Sequence, residues 1–197
     1  ASTERSAGRS PRGRPTDPAR LVGVALTMTN PLPFGVRPDP TGPDEESVWR
    51  YPRPPALERE ARRIRIVHGG VVLADTTRAF RVLETSHPPS YYLPPEDVSA
   101  AHLEAAGGGS LCEWKGAAKY WTVAIDGGRL ERVGWSYPTP TRRFEGLRDH
   151  LAFYATPFDE VTVGGEQVEP QPGGFYGGWV TSWVKGPFKG GPGSWGW

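Results

Sequence analysis

Three glycine turns, each set between alternating segments, limit what this chain can fold into. "RIRIVH" (63–68) and "VVLADT" (71–76) flank a Gly-Gly at 69–70. "KYWTVAI" (119–125) and "RLERVGWSY" (129–137) flank "DGG" (126–128), and "EVTV" (160–163) and "EQV" (166–168) flank a second Gly-Gly at 164–165. Alternation with a period of two places successive side chains on opposite faces, and short glycine turns return the chain antiparallel to itself. "AFRVLE" (79–84), "SYYL" (90–93), "LCEW" (111–114) and "LAFYA" (151–155) read as further short strands. Two short helices are predicted. "SAAHLEAA" (99–106) has Asp97 or Ser99 as its cap and "GGGS" (107–110) as its stop, and the other helix lies around "RRFEGLRDH" (142–150). The expected class is therefore mostly β: two antiparallel sheets in a small barrel or sandwich, with one or two short helices.

At 197 residues the chain suits one packed domain, and its 26 glycines and 22 prolines stop just short of the level typical of disorder. Eight tryptophans argue for a folded core, because disordered chains are poor in aromatics. A formal charge of +1 carries no global signature for nucleic acid or an anionic membrane, so neither is an expected partner. Cys112 is the single cysteine. It rules out an internal disulfide framework and a multi-cysteine zinc site, so no zinc is expected and a reducing cytoplasm is the natural compartment. His68, His87, His102 and His150 show no metal-binding spacing, so no metal ligand is assigned.

The chain divides by composition. Residues 1–27 are Arg-, Ser- and Pro-rich and are expected to be a non-native or disordered extension, the working protein starting near Met28. The apolar run "LVGVAL" (21–26) is too short to span a bilayer and lacks a convincing cleavage site. Residues 28–61 read as a proline-rich arm, 62–168 as the β domain, and 169–197 as a glycine- and tryptophan-rich tail that wraps it.

Candidate site residues cluster in three stretches. In "ETSHPPSYYLPPEDV" (84–98) the prolines at 88, 89, 94 and 95 restrict the backbone and leave little entropy to lose on binding. Tyr91 and Tyr92 point to opposite faces, one to the core and one to a cavity or solvent, with Glu84 and His87 before them and Glu96 and Asp97 after. The same residues also suit a strand crossover with packed tyrosines and Asp97 as a cap. "CEWKGAAKYW" (112–121) places Lys115 between Trp114 and Tyr120, where it binds an anion, forms a Schiff base or pairs with Glu84. Cys112 reads as a nucleophile only beside a histidine, and otherwise as a small buried hydrophobe. "GWSYP" (134–138) offers Trp135 and Tyr137 on one strand face, as core or as pocket wall. "KGPFKGGPG" (185–193) resembles an anion nest but lacks the P-loop context.

The segments "VLETSHPPSYYLPPEDV", "CEWKGAAKYWTV", "GWSYPTP" and "DHLAFYATPFDEVTVGGEQV", over roughly residues 62–168, resemble the family catalogued as domain of unknown function DUF427. The closing "GGFYGGW" and "GPFKGGPGSWGW" look like the C-terminal extension of one bacterial branch of that family. The resemblance implies a β-tent-like fold, similar to methionine sulfoxide reductases and zinc-binding chaperone-like (Mss4-like) domains. Those relatives hold zinc with paired cysteines, a role that one cysteine cannot carry over. The family is also labelled nucleotidyltransferase-like, chemistry that wants a glycine-serine turn followed by paired carboxylates around metal ions. Here "GGGS" (107–110) is followed only by Cys112 and Glu113.

The function expected from these residues is a pocket for a small polar or anionic ligand in a cleft between the sheets. Glu84, His87, Tyr91, Tyr92, Trp114, Lys115, Trp135 and Tyr137 would form its wall, and Lys115, Glu84 and Tyr92 are the candidates for any catalysis. Two alternatives stand beside it: nucleotidyl transfer with Glu84, Glu96 and Asp97 as divalent-metal ligands, and a protein-interaction module working through the aromatic tail. No cofactor is named by the sequence.

Overall fold

The computed structural model of the chain describes residues 32–197, so the expectation for residues 1–27 lies outside the described residues. The strands, in chain order, begin with β1 (Glu46–Ser47), β2 (Ala56–Glu60), β3 (Ile64–His68), β4 (Val71–Thr76), β5 (Ala79–Leu83) and β6 (Ser90–Tyr92). They continue with β7 (Leu103–Cys112), β8 (Gly116–Ile125), β9 (Gly128–Ser136), β10 (Leu151–Phe153), β11 (Glu160–Val163) and β12 (Glu166–Gln167). The tail adds β13 (Glu169–Pro170), β14 (Trp179–Val180) and β15 (Val184–Lys185). The protein is mostly β, and all three hairpins marked by glycine turns are present: β3–β4, β8–β9 and β11–β12.

Two four-stranded sheets, ordered β10-β9-β8-β7 and β12-β11-β3-β4, and a three-stranded sheet, β2-β5-β6, form the body. Leu93 and Leu151 exchange backbone hydrogen bonds of 2.8 Å in both directions, splicing β6 to β10 and joining the three-stranded sheet to β10-β9-β8-β7. The result is two layers. Ile64, Ile66, Leu73, Tyr91, Leu93, Val123, Phe153, Val161 and Trp179 fill the space between them. A second cluster of Val82, Tyr92, Ala118, Trp135, Tyr137, Phe144, Leu147 and Ala152 lies on the opposite face of the spliced sheet. The tail returns to the body: β15 pairs in parallel with β1 in a separate two-stranded sheet, and Trp179 is fully buried with its indole N–H donating to the Phe153 carbonyl at 2.9 Å.

Neither expected helix is an α-helix. The segment at 99–106 keeps only a 3₁₀ turn, Ala100–His102, before β7 begins at Leu103. The alanines favour a helix locally, but the pairing of Leu103 with Val123, Glu104 with Thr122 and Ala105 with Trp121 gives this segment a strand partner in β8. "GGGS" is therefore strand, not a helix stop. The register shifts between Ala106 and Gly109, and Gly108 takes a φ of +79° that a side chain rarely adopts. The second segment is a 3₁₀ stretch, Arg142–Leu147, that buries Phe144 and Leu147.

Candidate functional site

Pairing register determines which side chains share the outer face of the spliced sheet. Val82 faces Ser90 and Phe80 faces Tyr92 across β5–β6, while Trp135 faces both Tyr120 and Ala152 across β8–β9–β10. Above this face opens a cleft of about 650 Å³, lined by Val82, Ser90, Tyr92, Ala118, Tyr120 and Trp135 from the strands. The cleft thus draws its wall from the β2-β5-β6 and β10-β9-β8-β7 sheets, on the face away from the first hydrophobic cluster.

Two loops bring charge to the cleft. After β5, Ser86 takes a φ of +71° and the His87 N–H bonds the Glu84 carbonyl at 3.0 Å, a tight turn that delivers both residues to the cleft before Pro88 and Pro89. Between β7 and β8 the turn ends at Gly116, φ +100°. Thr141 clamps it, its hydroxyl donating to the Trp114 carbonyl at 2.6 Å and its N–H to the Lys115 carbonyl at 3.2 Å. The clamp folds Lys115 inward, and only 8% of it is exposed.

Seven of the eight expected wall residues line the cleft: Glu84, His87, Tyr92, Trp114, Lys115, Trp135 and Tyr137. Tyr91 does not. It stacks on Trp179 at 5.1 Å in the core between the layers, because adjacent strand residues face opposite ways. Glu96 and Asp97 also lie outside the cleft. Asp97 accepts from Arg78 Nη2 at 2.6 Å and from the Thr76 hydroxyl at 2.6 Å, so it anchors the crossover after β6. The three carboxylates are therefore not one site, and among the described residues no group of three His, Cys, Asp or Glu is placed to hold a metal ion.

The Lys115–Glu84 pair does not form. Glu84 is engaged by Arg53 at 3.3 Å, and no carboxylate pairs with Lys115 among the described residues. The Lys115 ammonium lies 5.8 Å from the Tyr137 ring centroid and 5.9 Å from that of Phe144. Burial pulls its pKa down, and Tyr92, Cys112 and Glu84 pull it up, the net direction being up. Burial raises the pKa of Tyr92 and Tyr137, which stay neutral hydroxyls. The Trp135 indole donates to the Tyr92 oxygen at 3.3 Å, leaving the Tyr92 proton free for another acceptor.

Arg53, Gln171, Tyr154, Tyr176 and Lys189 also line the cleft, and the sequence reading missed all five as site residues. Only Lys189 left a trace, as part of the nest-like "KGPFKGGPG". Gln171 is an organiser. Its oxygen accepts the Gly178 N–H at 3.1 Å, so its amide nitrogen donates to the Lys189 carbonyl at 2.8 Å and to His87 Nδ1 at 3.1 Å. His87 is therefore neutral with its proton on Nε2. Burial, followed by Lys189, Arg53 and Lys115, drives its pKa down to about 3. The segment Gly174–Gly177 closes one side: Tyr176 meets His87 edge-to-face at 4.6 Å, and Gly177 sits flat on Trp135.

Fold and cleft together define a class: a mostly-β protein with an aromatic, donor-rich cleft on one sheet face. Within that class the chain belongs to the family described as domain of unknown function (DUF427), labelled NTP_transf_9, whose model matches residues 56–164. No curated protein gives a significant match. The matched span carries Glu84, His87, Tyr92, Lys115 and Trp135, whereas Arg53, Gln171, Tyr176 and Lys189 come from outside it.

Proposed function

We propose that the cleft binds a small organic anion, with Lys115 as its charge partner. One observation carries this reading: among the described residues the buried ammonium has no carboxylate partner, and Glu84 is held by Arg53. An unpaired buried charge is costly, and a ligand that supplies the opposite charge relieves that cost. The groups around Lys115 support an oxygen-rich ligand, because Tyr92, His87 Nε2 and Lys189 all offer protons. No chemical step is assigned.

The test is Lys115→Met, titrated with acetate, benzoate and inorganic phosphate beside the unaltered protein. At least one anion should bind the unaltered protein and lose measurable affinity for the variant. Because no pair is broken and a costly buried charge is removed, the variant should be at least as stable as the unaltered protein. A loss of about 3 kcal/mol or more, with anion affinity per folded molecule intact, would return Lys115 to the scaffold.

A further inference from the structure

The cleft runs from charge at its floor to an exposed rim where Leu111 and Phe175 stand beside Ser110 and Glu113. Lys115 and Tyr92 are 8% and 1% exposed, whereas Leu111 and Phe175, which line the same cleft, are 81% and 72% exposed. These two are among the most exposed large apolar side chains of the described residues, and they reach the cleft from separate segments. Leu111 stands near the end of β7, and Phe175 on the tail segment that covers the cleft. Between floor and mouth the wall is aromatic, with Trp114, Tyr120, Trp135, Tyr154 and Tyr176 on it. The tail is tied down at this point, because the Tyr154 hydroxyl donates to the Phe175 carbonyl at 3.3 Å.

We infer that the ligand is an amphipathic organic anion, its acid group at Lys115 and its apolar body running along the aromatic wall to Leu111 and Phe175. The inference rests on the proposed anion site and adds the chemistry of the rest of the ligand. A purely ionic ligand such as phosphate would leave the aromatic wall and both exposed side chains without a function. A neutral apolar ligand would leave the Lys115 charge unmet. An acid with an apolar body satisfies both ends, since sites for small molecules are mostly apolar with a few polar groups fixing orientation. Leu111 and Phe175 would lose water contact only when the body is long enough to reach them, so affinity should grow with its length.

Acetate, butanoate, hexanoate and octanoate are titrated into the full chain, following the tryptophan indole N–H signals by NMR, with hexanamide as the neutral control. Affinity should rise about three- to fourfold per methylene, and hexanamide should bind far more weakly than hexanoate. The double variant Leu111→Ser, Phe175→Ser should lose most of the gain between hexanoate and octanoate. Equal affinity along the series, with Lys115→Met still abolishing acetate binding, would overturn the amphipathic ligand and leave the anion site standing. Binding of hexanamide as tight as hexanoate would overturn the charged head. Failure of every carboxylate to bind would overturn both.

Discussion

Tyr91 and Tyr92 show how much one residue's environment differs from that of its neighbour. The Tyr91 hydroxyl is buried in the core with no hydrogen-bond partner among the described residues, whereas the Tyr92 hydroxyl accepts from Trp135 and lines the cleft. Removing an unsatisfied buried polar atom relieves a desolvation penalty. Tyr91→Phe should therefore leave denaturant stability unchanged or raise it by up to about 1 kcal/mol, and leave anion affinity unaltered. His87 carries a pH signature. Its folded-state pKa of about 3 lies below its ordinary value, so between the two the unfolded chain binds a proton that the folded chain does not. Its stabilising contribution is complete above about pH 6.5 and is lost as pH falls toward the folded value. Denaturant titrations from pH 7 to pH 4 should show stability declining, and His87→Asn, which cannot be protonated, should flatten part of that decline.

At the scale of elements, the covering segment of the tail matters most. A Cβ on Gly177 would lie 2.1 Å from Cη2 of Trp135, and Trp135 is itself held by Tyr154 at 4.9 Å between ring centroids and by its bond to Tyr92. Neither partner has room to yield, so Gly177→Ala should lift the segment. Overpacking of this kind costs about 1–3 kcal/mol. Anion affinity measured by titration should fall with it, because Tyr176 and Gln171 move away from His87. Strand β7 teaches a different lesson: helix-favouring alanines became strand once a ten-residue partner, β8, was available to pair with them. Local propensity is a fraction of a kcal/mol per residue, and pairing along a long partner strand outweighs it.

At the scale of the whole molecule, the tail beyond the family match is part of the body. Trp179 is 0% exposed, stacks on Tyr91 and bonds Phe153, so Trp179→Ala should cost about 3–5 kcal/mol in a denaturant titration. A loss below 1 kcal/mol would show that the tail contributes little to the core. Among the described residues no helix is long and apolar enough to cross a membrane. The sequence by itself determined the mostly-β class, the three hairpins and the family, because period-two alternation and glycine turns act over a few residues and need no distant partner. It also marked Glu84, His87, Tyr92, Trp114, Lys115, Trp135 and Tyr137, whose residue types and rigid surroundings single them out locally. Only the tertiary structure decided which tyrosine met the cleft, that Arg53 rather than Lys115 took Glu84, and that Gln171 and Lys189 joined from the tail. Those outcomes depend on strand register and on contacts between residues far apart in the chain, 84 positions in the case of His87 and Gln171, and no local pattern encodes them.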